Sequence, residues 1–308
     1  MNHRLSPAAT SDMLLVVVTF VAAISWMFSK EAVLLMPPIL FMSVRFLLAA
    51  LCLLCFSASH LRNLSLPLLK RSLWVGMFFG GAMTSWVMGL AQGDAMGEGA
   101  FLTSLGVVFV PVVSRVFFQE SPPFATWLAL PVALAGLGLL TLPHGFRITP
   151  SQGYFLLAAA LFACFYTLNT RATRPNINTQ QEAVHPLAMT TVLMFVATVV
   201  TGVASWHWEA QQWPSVTISS ALTLWVLLSA VVGTAMRFLL QTYAQSLTHS
   251  TNGAVILILE PLWVAMLSVL WFQESLSPVQ WLGCSVILAA LIINRWQAIV
   301  LGIKTWKR

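Results

Sequence analysis

Arg237 and Glu260 are ionisable residues set inside long apolar stretches of the sequence. A charged side chain at the centre of a membrane-spanning helix costs about 2.5–3.5 kcal/mol on insertion scales, so it needs a partner or water and marks a candidate site. Arg237 lies in Gly233-x3-Arg237-x3-Gln241, a spacing that puts glycine, guanidinium and amide on one helical face. The glycine lets a neighbouring helix or a ligand approach that face. Glu260 directly precedes Pro261, which lacks a backbone donor and frees a carbonyl in the preceding turn. The chemistry expected of such a set is binding: Arg237 for an anionic group, Glu260 for an ammonium group or a coupling proton. An Arg237–Glu260 ion pair that only fixes helix register is the structural alternative, and the two readings can overlap.

Other residues are weaker candidates. Glu98 precedes an apolar run in Gly97-Glu98-Gly99, with Asp94 one turn earlier, and is a candidate gate or proton site or simply a loop acid. Trp86 and Trp263 lie deep enough in apolar runs to stack on a substrate, and Tyr166 and Asn169 can add hydroxyl and amide contacts, whereas most tryptophans in such a chain anchor at the interface. No nucleophile elbow, His-x3-His pair or phosphate-binding glycine loop occurs, so nothing points to an enzyme, a metal or a cofactor. Cys52, Cys55, Cys164 and Cys284 fall within apolar runs and read as packing residues.

The elements that must position these residues are membrane helices. Hydrophobic residues make up 58% of the 308 positions and charged residues only 8%, against roughly 25% charged in a soluble chain. Spans are expected near 13–29, 38–56, 72–91, 99–117, 124–142, 153–170, 186–205, 222–243, 252–272 and 279–296, with the helix count firmer than the ends. The polar segment 1–12 leads into a run without an obvious cleavage site, so the first span is expected to remain as an anchor. With the N-terminus inside, eleven Lys and Arg fall in inner loops and tails and only Lys30 and Arg147 outside. The net charge of +6 therefore reports topology, with both termini cytoplasmic, rather than a nucleic-acid partner.

The sequence also repeats. Phe118-Gln119-Glu120-Ser121 returns as Phe272-Gln273-Glu274-Ser275, and Gly99-Ala100, Trp127-Leu128 and Leu134-Ala135 recur at the same offset of 154. Gly80, Ala82-Met83 and Ala91-Gln92 recur at an offset of 153. The fold class expected is an all-α membrane protein of ten transmembrane helices in two five-helix repeats, 13–142 and 153–296, with a linker at 143–152 and a basic cytoplasmic tail at 297–308. An odd number of spans per repeat turns the second copy upside down, an arrangement found in transporters whose site lies near the midplane between the halves.

The chain resembles the drug/metabolite transporter superfamily, in particular its ten-helix members built from two EamA-type halves. The resemblance rests on Lys30, Pro37-Pro38-Ile39-Leu40-Phe41, Arg45-Phe46-Leu47-Leu48-Ala49-Ala50 and Phe101 through Pro111 before Glu120, then on Asn252-Gly253-Ala254 through Glu260-Pro261 to Glu274. It implies a cavity lined mainly by helices one, three, four, six, eight and nine, opened alternately to each side of the inner membrane. It implies a structural role for Arg45, and Lys30 then borders the cavity mouth, although a snorkelling interfacial lysine is the plainer reading. The tryptophan usual in the middle of the first helix is not matched, Trp26 falling nearer Lys30. The expected function is secondary transport, favouring export, of an amino acid or similar zwitterionic or amphipathic metabolite, driven by protons or a counter-substrate. A membrane-embedded enzyme on a lipid-soluble substrate, or a passive channel or sensor, is the alternative.

Overall fold

The computed structural model describes residues 7–92, 96–119, 121, 124–141, 150–175, 182–247, 255–272 and 277–306. These residues form ten helices: α1 (Pro7–Val33), α2 (Pro38–Arg62), α3 (Leu66–Gln92), α4 (Met96–Phe118), α5 (Phe124–Thr141), α6 (Pro150–Thr173), α7 (Pro186–Glu209), α8 (Ser220–Ser246), α9 (Leu259–Phe272) and α10 (Pro278–Trp306). Each expected span overlaps one of them; of the ninth, 252–254 lie outside the described residues and a 3-10 turn at Val255–Ile258 leads into α9. Several helices continue past the apolar run into polar sequence: α1 already begins at Pro7, and α3 begins at Leu66. Proline opens α2, α6, α7 and α10, where its fixed φ suits the first turn and its missing N–H costs nothing.

By length and apolarity six helices are able to cross a membrane: α1, α2, α3, α6, α7 with the 3-10 turn after it, and α8. The remaining apolar stretches, Leu102–Phe118, Phe124–Leu139, Ile256–Trp271 and Pro278–Ala290, are shorter. Large apolar side chains such as Phe56, Trp74, Val199, Val203 and Leu270 face outward, as expected where lipid replaces water.

The helices pack in a regular scheme. The broadest contacts join α2 with α7, α3 with α6 and α5 with α10; α6 also packs on α4, α3 on α7, and α1 on both α8 and α9. Small residues make the closest approach: a Cβ on Gly76 or Gly80 of α3 would lie 2.7 Å or 2.9 Å from the Cβ of Val196 or Val200 of α7. The interior around Phe46, Phe79, Phe165 and Phe238 ties α2, α3, α6 and α8 into one core.

One buried acid that the sequence did not single out holds the start of α2. Pro37 precedes that helix and offers no capping side chain. Glu209, at the end of α7, supplies the cap instead: Ile39 N donates to Oε1 at 2.9 Å and Leu40 N to Oε2 at 2.7 Å. Ser205 Oγ donates to the same carboxylate at 2.9 Å, and Trp213 Nε1 donates to Ser205 Oγ at 3.1 Å. A carboxylate at a helix N-terminus satisfies donors that the helix itself leaves open and complements its dipole. Glu209→Ala is expected to cost about 2 kcal/mol, the loss of charge-assisted hydrogen bonds from buried N–H groups. Glu209→Gln should recover part of it; denaturation in detergent measures both.

Candidate functional site

A cavity of about 750 Å³ of atom-free space, counting its mouth, lies among the helices. Residues of α1, α3, α4, α6, α8 and α9 line it, the helices that the resemblance implied, joined by Arg45 from α2. Leu257, Glu260, Pro261 and Val264 recur at i, i+3, i+4 and i+7, so one stripe of the ninth apolar stretch faces the cavity.

Arg237 of α8 and Glu260 of α9 meet there. Arg237 Nη2 donates to Glu260 Oε2 at 3.0 Å, with the two side chains about 10% and 20% exposed. Trp26 Nε1 of α1 donates to the other oxygen, Glu260 Oε1, at 2.7 Å. The carboxylate thus joins three helices. Arg237 also lies over the Phe238 ring, 4.5 Å from its centroid. Trp26 packs edge-to-face on Trp86, centroids 4.7 Å apart, and Phe162 stacks on Tyr166 at 5.8 Å, so aromatic surfaces of α1, α3 and α6 bound the charged pair.

Arg45 is 2% exposed and is held by uncharged acceptors. Its Nη1 donates to Ser29 Oγ at 2.7 Å, and its Nη2 to Ser25 Oγ at 2.6 Å and Gly233 O at 3.0 Å; its Nε bonds Thr234 Oγ1. A π turn at Val231–Met236 within α8 makes this possible. There the backbone ladder widens from i−4 to i−5, Gly233 O accepts from Arg45 Nη2, and Thr234 Oγ1 donates to Ser229 O at 2.8 Å. Gly233 is required by the close approach of α1: an added Cβ would lie 2.8 Å from Ser25 Cβ and 3.3 Å from Arg45 Nη2. Gly233→Ala is expected to cost about 1–3 kcal/mol by overpacking, read as a lower melting temperature, whereas Gly138→Ala, with open space around its Cβ, should cost little.

Of the residues singled out from the sequence, Arg237, Glu260, Trp86, Tyr166 and Arg45 line the cavity. Gln241, Asn169, Trp263 and Lys30 are not among its lining residues. Gln241 sits one turn beyond Arg237, 1% exposed, and neither of its amide atoms has a hydrogen-bond partner among the described residues. Asn169 ties α6 to α8, its Nδ2 donating to Gln245 Oε1 at 2.6 Å. Trp263 faces α1, donating from Nε1 to Thr19 Oγ1 at 3.2 Å and packing edge-to-face on Phe20. Lys30 is half-buried near the end of α1. Glu98 falls in the first turn of α4, but its side chain lies outside the described residues, as does Asp94 altogether.

Trp26, Ser25 and Ser29 are among the cavity residues that sequence reading missed, together with rings such as Phe162 and Phe238. The serines' signal was present as Ser25-x3-Ser29, a hydroxyl pair at helical spacing within an apolar span.

The model of the EamA-like transporter family matches residues 9–142 and again residues 152–296. The chain belongs to the EamA-like transporter family. It is therefore a multi-pass membrane protein of transporter type, which implies a transporter rather than an enzyme. This EamA-like chain is 27% identical over 265 residues to a protein of Archaeoglobus fulgidus named an uncharacterized transporter, a match covering 84% of the chain and 77% of that relative. It is 29% identical over 199 residues to a Rickettsia bellii protein named an S-adenosylmethionine uptake transporter, covering 64% of the chain and 62% of that relative. A crystal structure at 16% identity covers 96% of the chain and 98% of its own length with a TM-score of 0.73, a likeness of fold.

Proposed function

We propose that this EamA-like protein is a secondary transporter that carries a small amphipathic metabolite of amino-acid type across the cytoplasmic membrane, with the cavity as its site. The observation that carries the reading is the meeting of Arg237, Glu260 and Trp26 in a cavity walled by aromatic rings and hydroxyls. Arg237 takes the carboxylate of the substrate, Glu260 an ammonium group or the coupling proton, and the rings its apolar body. The Rickettsia relative is named for S-adenosylmethionine, whose amino-acid end carries a carboxylate of the kind Arg237 would take, so that solute belongs in the test.

The mechanism proposed is alternating access by two inverted five-helix halves rocking around a fixed site. Helix packing supports it. Exchanging the halves turns α2 with α7 and α5 with α10 into themselves, α3 with α6 into α8 with α1, and α4 with α6 into α9 with α1, and every one of these contacts occurs. The charge distribution supports ten spans with both termini cytoplasmic.

Uptake of labelled amino acids and of S-adenosylmethionine into proteoliposomes, with and without an imposed pH gradient, tests the reading. Saturable flux that responds to the gradient and to counter-substrate is expected, and flux into and out of loaded vesicles gives the direction. Flux that neither saturates nor exchanges would replace the carrier with a channel. No flux of any of these solutes would remove the substrate assignment.

A further inference from the structure

Among the described residues, the charges that line the cavity do not balance. Arg45 and Arg237 bring two positive charges and Glu260 one negative charge among the described lining residues. Arg45 spends its hydrogen bonds on three hydroxyls and a carbonyl, and no carboxylate pairs with it among the described residues. Hydroxyls and carbonyls solvate a guanidinium but do not cancel its charge, and in a site of low polarity an uncancelled charge acts on anything that enters.

Arg237 is also underused. Its side-on edge, the pair of donors Nε and Nη2 that matches a carboxylate, is half occupied: Glu260 takes Nη2, while Nε is buried without an acceptor among the described residues. Glu260 does not fill that edge here: its other oxygen is turned to Trp26. An incoming carboxylate that spans Nε and Nη2, once a turn of the Arg237 side chain uncovers Nε, gains the paired, charge-assisted geometry that guanidinium groups favour, and Glu260 keeps its bond to Trp26.

We infer that the cavity selects an occupant of net charge minus one: an amphipathic acid with no free ammonium group, or an amino acid with a second acidic group, in preference to a zwitterion of the same size. Such an occupant seats its carboxylate on the Nε–Nη2 edge of Arg237 and cancels the surplus that Arg45 brings. A zwitterion offers the same carboxylate but returns a positive charge and leaves the surplus in place. An amine adds to it. The inference rests on the cavity being the substrate site.

Three compounds of one six-carbon skeleton separate the charges: 4-methyl-2-oxopentanoate at minus one, leucine at zero and the amine leucinol at plus one. Their affinities for the purified full-length protein in detergent at pH 7, measured by calorimetry, should fall in that order. The oxo acid is expected to bind at least tenfold more tightly than leucine, and the amine not at all. Glu260→Gln removes both the competitor for Arg237 and the one negative charge, so it should tighten binding of the oxo acid; Arg237→Gln should abolish it while the melting temperature reports that the variant is folded. Equal or tighter binding of leucine or the amine, or a weaker oxo acid in Glu260→Gln, would overturn the inference. Failure of all three compounds to bind would overturn it too, and would leave the transporter reading standing wherever proteoliposomes give saturable flux of another solute.

Discussion

Arg237→Ala is expected to abolish saturable transport and to destabilise the protein by about 3–5 kcal/mol, the usual cost of removing one partner from a buried ion pair. The loss is large because of what stays behind. Glu260 keeps its bond from Trp26 but no longer has a cation at 3.0 Å, and its charge remains buried between α1, α8 and α9. Glu260→Ala strands Arg237 in the same way. The double variant Arg237→Gln, Glu260→Gln has no charge to strand, so it should recover most of the stability of the parent while still carrying no substrate. That split separates a pair that only fixes register from a pair that binds. Recovery of both stability and transport in the double variant would reduce the pair to a structural role. A cost below about 1 kcal/mol for Arg237→Ala would mean that Glu260 has water or a proton available in its place.

The helices were readable because a bilayer fixes the length of an apolar run, and ten such runs lie between breaks such as Pro37-Pro38 and Pro122-Pro123. Helix ends were not, because a helix continues beyond the hydrocarbon for as long as its backbone can bond to itself. That difference hid Trp26. With the first span read as 13–29 the residue falls at its end, whereas in a helix running from Pro7 to Val33 it lies well inside, bonded to Glu260. Shared depth made an Arg237–Glu260 pair conceivable without fixing it, since α8 and α9 are separate helices joined through a segment whose path the sequence does not dictate. Gln241 and Trp263 show the limit of spacing arguments. Four residues past Arg237 keep the face but move about 6 Å along the axis, and three residues past Glu260 turn the side chain about 60° around it. Trp263 accordingly meets Thr19 of α1 rather than the cavity. The π turn had no signal beyond Gly233, and Glu209 none at all, because capping another helix depends on tertiary placement alone.

The charge network also explains why α1 matters more than its sequence suggests. Ser25 and Ser29 hold Arg45 from α2, Trp26 holds Glu260 from α9, and Gly233 of α8 packs against Ser25. One turn of α1 therefore joins helices of both halves through groups that line the cavity. Under the alternating access proposed above, rocking of the halves would have to exchange some of these bonds for others. The Glu260 carboxylate, shared between Trp26 and Arg237, and the Arg45 guanidinium, shared between the α1 serines and α8, each have partners in both halves to move between.

Gln241→Leu is expected to stabilise the protein and to impair transport. In this conformation the amide is 1% exposed, and neither its Nε2 nor its Oε1 has a partner among the described residues. Leaving a buried donor or acceptor unmade costs about 1–3 kcal/mol per group, so an apolar side chain of similar reach should raise stability by about 3 kcal/mol. A polar group kept at such a cost is explained if another conformation satisfies it. Gln241 follows Arg237 on the same face of α8, and Asn169 Oδ1, on α6, is likewise buried and unpartnered among the described residues. A conformation that admits water to this face of α8 would satisfy the amide, and leucine would remove that gain and hold the present conformation. The expected result is a higher melting temperature together with a several-fold lower rate of transport and little change in substrate affinity. A lower melting temperature in Gln241→Leu would show that the amide is satisfied in the resting protein, and would leave Gln241 as a packing residue of the α6–α8 contact.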